Sequence, residues 1–387
     1  MGCPTGNDPP ELNYTTEHIE VLSSMEHIRR RPGMYLGGTD ANGLHHLLFE
    51  LVSSSLGAVR TAGGRGVRVT LHADNAVTIT DDGVPPPNLD ETFVAIYSDG
   101  RLGGDGRATW FHVTANALSE WLHVEAFDGS EVRGQTFRRG LAEPPTHATL
   151  SAPRTGLTLS FRPDPLIFGE ARFDANTIRD RLRQFAYLHS GLEIAFTNES
   201  TGAHDVFTYP DGIAGYVHVL SADRKPLHPD PIVVRGEELG VRFEAGLQWC
   251  DADEEVIAAF TNGGYNPQGG THVTGLRSAL TRTVNEHIRR HWPDEVAVKG
   301  EDVRCGLTAV VSVWLEAPYY ESATRWRLSN PEPESAVGVG VANFLRGYFE
   351  ANPAVAEAIA RKALAESDLR EAARAARQEI KLARKNP

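Results

Sequence analysis

Gly43-Leu44-His45-His46-Leu47-Leu48-Phe49-Glu50-Leu51-Val52-Ser53-Ser54-Ser55-Leu56-Gly57-Ala58-Val59 is the stretch from which the fold is read. Leu44, Leu47, Leu48, Leu51, Val52, Leu56 and Val59 recur at the i, i+3, i+4, i+7 spacing, which predicts a helix over Gly43–Val59 with one face in a core. The same helix sets His46, Glu50 and Ser54 four residues apart, on one stripe beside the apolar face. A carboxylate at the border of a core is a candidate general base, because partial burial raises its pKa toward working pH. A histidine one turn away can orient that carboxylate or share its proton. From spacing alone, a solvated glutamate beside a packed histidine is the commoner arrangement.

Outward from this helix, Val67, Val69 and Leu71, then Val77 and Ile79, alternate as two strands joined at Asp74-Asn75 in hairpin fashion. Residues 82–109 are rich in Gly, Pro and Asp and read as loop for much of their length. A helix near 111–120 leads to a strand with Leu122 and Val124, a turn at Asp128-Gly129, and a strand with Leu157, Leu159 and Phe161. Ile178, Leu182, Phe185 and Ala186 mark a further helix. After about residue 220 the pattern restarts, with strands at Ile232–Val234, Val241–Gln248 and Val256–Thr261. A Gly-rich loop, Asn262–Gly270, then opens a helix carrying Val273, Leu276, Leu280, Val284 and Ile288. Cys305–Leu315 reads as an apolar strand. The end is an alanine-rich helix with Asn352 as N-cap and Pro353 in its first turn. Helices and strands mix without strict alternation, which points to α+β layers in two domains.

The 387 residues suffice for two or three domains, and 41% hydrophobic with 23% charged residues is an ordinary globular balance. The net charge of −13 disfavours a surface devoted to nucleic acid, although Arg361–Lys385 carries eight Lys/Arg against four Asp/Glu. Cys3, Cys250 and Cys305 show neither a disulfide framework nor metal-ligand spacing. No apolar stretch follows a basic start and none reaches membrane-spanning length, so a cytoplasmic chain with no membrane partner is expected.

Among other chemistry-bearing motifs, Thr80-Asp81-Asp82-Gly83 ends a strand, where a carboxylate can receive a ligand's amino group or cap the turn, the commoner use of Asp-Gly. Gly103-Gly104-Asp105-Gly106 has the look of a phosphate loop, and Gly269-Gly270-Thr271-His272 sits at a helix start. Both are weak signals alone.

In combination these segments resemble one family. Arg29-Arg30-Arg31-Pro32-Gly33-Met34-Tyr35-Leu36-Gly37 with Gly43–Glu50, His72-Ala73-Asp74-Asn75 with Asp81-Asp82-Gly83, and Asn116-Ala117-Leu118-Ser119 are similar to the opening of the gyrase B ATPase region. Thr155-Gly156, Leu247-Gln248-Trp249, Gly269–His272 with Thr281-Arg282-Thr283, and Arg370–Arg377 continue it in order over nearly the whole chain. The resemblance implies a GHKL-type (Bergerat) α/β sandwich followed by a transducer domain with a long C-terminal helix. The implied division is an arm (1–18), an ATPase-like domain (19–220) and a transducer domain (221–387). It also implies that Glu50 is the water-activating base with His46 as helper, that Asp81 is the adenine-binding carboxylate, and that Tyr14 and Ile19 belong to an arm reaching across a homodimer. Gly83, Gly106, Leu157 and Arg325 fall on further ligand-contacting positions, and the family's metal-dependent cleavage domain would begin beyond this chain.

Several matching positions are altered. The family's magnesium-holding Asn is Ser54, and an acidic residue four positions on is Ala58. Asp-Gly-Arg-Gly-Ile-Pro becomes Asp82-Gly83-Val84-Pro85-Pro86-Pro87. The glycine-rich lid keeps only Gly106, with Thr109 and Phe111 where glycines stand, and side chains there obstruct amide-to-phosphate bonds. A pocket-lining Thr is Leu157, and the phosphate-sensing Gln-Thr-Lys is Ala323-Thr324-Arg325. The losses fall on phosphate, metal and lid while the proton-handling pair stays. No metal ligand is assigned, and ATP with Mg²⁺ is doubtful as a cofactor. The expectation is a dimeric binding or regulatory relative with impaired hydrolysis, with a small-molecule ligand or a gyrase subunit as partner and weak or no DNA binding. Two alternatives stand beside it. One is an enzyme using His46, Glu50 and Asp81 for acid–base chemistry on a non-nucleotide molecule. The other is an atypical but working ATPase module.

Overall fold

The computed structural model describes residues 22–94, 97–98, 101–102, 110–322 and 324–385. In chain order the first half comprises α1 (Ser24–Arg30), α2 (Gly33–Leu36), α3 (Ala41–Ala62), β1 (Gly66–Leu71), β2 (Val77–Asp81), α4 (Leu89–Val94), β3 (Tyr97–Ser98), β4 (Arg101–Leu102), α5 (Trp110–Leu118), β5 (Ser119–Arg138), β6 (Leu141–Ala142), β7 (Thr146–Pro163), α6 (Pro165–Phe168), α7 (Ala175–Leu188), β8 (Glu193–Asn198), β9 (Ala203–Phe207) and α8 (Ile213–Leu220). The second half comprises β10 (Ile232–Glu238), β11 (Val241–Trp249), β12 (Val256–Thr261), β13 (Gly264–Tyr265), α9 (Thr271–His291), α10 (Gly300–Arg304), β14 (Leu307–Trp314), α11 (Glu332–Ala351) and α12 (Pro353–Lys385).

The predicted first helix is α3, begun by Asp40, whose side chain accepts from the Gly43 N–H. Its stripe from Leu44 to Val59 is fully buried against the first sheet, whose order is β6-β5-β7-β2-β1-β8-β9. β1 and β8 run parallel and the other pairings of that sheet are antiparallel. Alternation sends Val69, Ile79, Leu159 and Phe161 into the core. It leaves hydroxyls on the opposite face, where Thr78 and Ser160 meet at 2.8 Å. The second sheet, β10-β11-β14-β12-β13, packs its own core against α9, α11 and the first turns of α12. β12 and β14 are parallel neighbours, and α9 is the crossover between them. A third cluster with Tyr187, Tyr216, Val217, Phe260 and Val310 lies between the two halves. The layered α+β architecture is as the sequence pattern predicts.

Four local expectations are corrected. α4 interrupts the loop expected over 82–109, with Leu89 and Phe93 buried. Asp128-Gly129 is no turn: β5 runs through it, with Gly129 at φ 65° beside a register shift between Gly129 and Glu131. The apolar strand starts at Leu307, because Cys305 ends α10. Asn352 does not cap the last helix with its side chain. It follows α11 directly and returns its side-chain amide to the Tyr348 carbonyl at 2.9 Å.

Candidate functional site at the seam between the two halves

Helix α3 presents its polar stripe to the second half of the chain rather than to open solvent. Glu50 is 6% exposed, and its Oε2 accepts from Arg325 Nη1 at 2.6 Å across 275 positions of sequence. Both side chains are largely buried, at 7% and 15% exposure. The Arg325 guanidinium also lies 4.6 Å over the Phe111 ring and 5.3 Å from the Tyr320 ring centre. Phe111 in turn meets His46 edge-on at 5.4 Å. Glu50, His46, Phe111 and Arg325 therefore share one cluster.

Arg325 is held there by its backbone. It adopts φ 57°, a left-handed conformation that is strained for an L side chain and persists only when its surroundings enforce it. Its N–H donates to Ser322 O at 3.0 Å, and its carbonyl accepts from Asn266 Nδ2 at 2.7 Å. Asn266 is itself buried and accepts from Thr261. The Asn262–Gly270 segment, which sequence pattern reads only as a glycine-rich loop, is thus the cradle of Arg325.

That segment is fastened to the first half twice. Ser53 Oγ donates to Asn262 O at 2.7 Å, and Arg181 Nη2 donates to Gly263 O at 2.8 Å. Arg181 is a cation among aromatics, with Phe185 at 4.5 Å and Phe260 at 5.5 Å. Burial pulls its pKa down to about 10 against the attraction of Tyr216 and Glu50. Arg181, Asn266 and Tyr320 are not legible as site residues, since nothing local marks a residue whose role depends on a distant segment. Gly37 (φ 80°) gives a further contact: a Cβ there would lie 2.2 Å from Thr324 Cγ2.

Asp81 ends β2 at 5% exposure. Its Oδ1 accepts from Gly83 N at 2.9 Å and from Leu157 N at 3.3 Å. Burial raises its pKa, opposed by bonds from Ser55, Gly83 and Leu157 and assisted by Asp82. Asp82 takes the capping role, accepting from Arg65 N at 2.8 Å and Gly66 N at 3.1 Å. Gly83 packs against α3 so closely that a Cβ would stand 2.7 Å from the Ala58 carbonyl carbon. Val84 directs its N–H to Ala58 O at 3.5 Å. Arg133 grips the carbonyls of Pro86 and Pro87 and fixes the loop beyond. Ser54 is half-buried one turn from Glu50. Tyr14, Ile19, Gly106, Thr109 and Ala323 lie outside the described residues.

These donors fit an amino-bearing ring better than a metal. A buried carboxylate at Asp81 suits an exocyclic amine. Mg²⁺ prefers near-octahedral oxygen donors including carboxylates, and here Ser54 offers one hydroxyl, Ala58 none, and Glu50 is engaged by Arg325. Among the described residues no helix is long and apolar enough to cross a membrane.

Comparison with known proteins gives the family. The family model described as DNA gyrase B matches residues 212–379. The crystal structure of the 43K ATPase domain of Thermus thermophilus gyrase B, solved with an aminocoumarin, superposes with a TM-score of 0.77 at 33% identity, covering 92% of this chain and 98% of that one. The chain belongs to the gyrase B family. Its GHKL sandwich and the layer that follows are those of gyrase B ATPase regions. The DNA gyrase B protein of Archaeoglobus fulgidus is 35% identical over 387 residues, covering 95% of this chain and 61% of that protein. The gyrase B protein of Thermotoga maritima is likewise 35% identical over 398 residues, with 96% and 62% covered. The chain thus spans about three-fifths of the length of these gyrase B relatives.

Proposed function

We propose that this chain is a nucleotide-site-altered gyrase B-type ATPase–transducer module that hydrolyses ATP poorly and acts by binding and by signalling across its seam. The observation that carries the reading is the buried Glu50–Arg325 pair. A carboxylate oxygen that already accepts from a guanidinium at 2.6 Å is less available to a proton from water. Beside it, the positions that would hold metal and phosphate are Ser54, Ala58 and Val84. Losing one well-placed group for developing charge commonly slows phosphoryl transfer on the order of a hundredfold, and several are replaced here.

In this reading residues 19–220 hold the ligand through Asp81, Gly83, Leu157, Ser54 and, in the lid, Gly106. Residues 221–387 read it out through Arg325. The arm, with Tyr14 and Ile19, joins two copies. Action in the cytoplasm, with a small-molecule ligand or a gyrase subunit as partner, follows from the same reading, as does weak or no DNA binding.

Calorimetric titration with ATP and with ADP, each with and without Mg²⁺, tests it. The expected result is purine-nucleotide binding that is nearly indifferent to Mg²⁺ and weakened about tenfold or more by Asp81→Asn. Binding that requires Mg²⁺ and is unaffected by Asp81→Asn would remove the reading.

A further inference from the structure

Away from the seam, the last turn of α9 carries His287 and His291, four residues apart and so on one face of the helix. Their ring centres are 4.1 Å apart with the planes inclined by 31°. Two imidazoles bound to one cation at about 2.0–2.1 Å and near-tetrahedral angles have ring centres about 5 Å apart, so the observed ring-centre separation is within about 1 Å of that of a chelating pair.

The surroundings orient both rings. His291 Nδ1 lies 3.0 Å from the His287 carbonyl, which can only accept, so Nδ1 carries the proton and Nε2 keeps its lone pair. His287 stands edge-on to Trp292 at 6.0 Å and to Phe349 at 5.6 Å, which fixes its plane. Neither of its ring nitrogens has a hydrogen-bond partner among the described residues. The neighbouring arginines are paired: Arg290 with Glu350 at 2.9 Å and Arg346 with Glu286 at 2.7 Å. Glu357 on α12 is likewise bonded to Arg361 at 2.7 Å.

We infer that His287 and His291 form a two-histidine site for a borderline divalent transition cation (Zn²⁺, Ni²⁺ or Cu²⁺), at the corner where α9 meets α11 and α12. Imidazole nitrogen suits these ions and not Mg²⁺. Glu357 on the first turns of α12 is held by Arg361 and lies outside the pair. The site is independent of the nucleotide pocket and of how that pocket works.

Titration of the purified chain with Ni²⁺ and with Zn²⁺ at about pH 7.5, in a non-chelating buffer, tests this, with thermal melting alongside. One-to-one binding at micromolar concentration is expected, with a rise in Tm, and weakening by about tenfold or more in both His291→Ala and His287→Gln. His291 is exposed, so its substitution leaves the fold intact. The competing location is the Asp253, Cys305 and Glu366 group, whose ligand atoms lie within 4.8 Å of one another. Its thiol is pushed up to about 11, chiefly by burial, and resists metallation. Binding lost in Cys305→Ser but kept in His291→Ala overturns the inference. So does no binding at about 100 µM cation, or an affinity in both histidine variants equal to that of the unmodified chain.

Discussion

Glu50 is buried and Arg325 largely so, and each is the other's counter-charge at 2.6 Å. Removing one partner of such a pair leaves an uncompensated charge, so Arg325→Ala should destabilise the chain by about 3–5 kcal/mol. The double variant Glu50→Gln/Arg325→Met removes both charges and should return most of that loss. Denaturant unfolding measures both, and an Arg325→Ala effect no larger than a surface substitution would mean that the pair is wet and exchangeable. Asp81 behaves in the opposite sense. Its folded pKa is raised chiefly by burial, so its contribution to stability is present at low pH and lost as pH rises through that value. Asp81→Asn should therefore be neutral or stabilising at neutral pH while weakening ligand binding, a separation that no general packing role produces. His189 and His272 supply the acid limit. Both are buried, and desolvation pulls each down to about 3. They stay neutral in the fold but take up protons once unfolded, so stability should fall as pH drops from about 6.5 toward 3, by up to about 1.4 kcal/mol per pH unit for each histidine. Equilibrium unfolding of His272→Gln across that range should show a shallower slope, and an unchanged slope would contradict this account.

α3 and α12 show how differently a helix can depend on its surroundings. α3 packs along its whole buried stripe, and Leu48→Ala there should cost about 2–5 kcal/mol. α12 is anchored through Ala356, Ile359, Ala360 and Ala363 and by Arg370, which bonds both oxygens of Asp302. From Glu371 to Lys381 every residue is exposed. A segment of that length is marginal as an isolated helix, so amide exchange should be fast beyond Arg370 and slow before it. Uniform protection along the whole helix would instead reveal a partner on that face. The same contrast explains what the sequence discloses. The α3 stripe and the β1–β2 alternation are legible because each segment carries its own period. α11 is not, because Gly338, Gly340 and Gly347 break its pattern, although in the fold Gly340 admits the Phe243 ring, which a Cβ would meet at 2.2 Å. Asp128-Gly129 has turn chemistry, yet pairing with β7 carries the strand through it. Glu50 and His46 stand out from spacing and resemblance together. Their closure by Arg325, held by Asn266, depends on contacts across the two halves and leaves no local trace.

The whole molecule is two layered halves joined by Arg325–Glu50, Ser53–Asn262 and Arg181–Gly263, with the candidate site in the joint. A ligand that draws Arg325 away from Glu50 would act on both halves at once, which makes the seam the natural route of any signal. In the proposed reading, assembly should not depend on nucleotide. Sedimentation of the intact chain and of a version lacking residues 1–18, each with and without a non-hydrolysable ATP analogue, should show a dimer that needs the arm and ignores the analogue. A monomer that dimerises only with the analogue would contradict that. The most direct test of the central claim is steady-state ATP turnover with Mg²⁺ for the unmodified chain and for Glu50→Gln. The account predicts turnover at most about one-hundredth of that of a gyrase B ATPase region with an intact nucleotide site, and little further change on substitution. Robust Mg²⁺-dependent hydrolysis that Glu50→Gln abolishes would show that Glu50 escapes Arg325 and works as a base, and the account would fall.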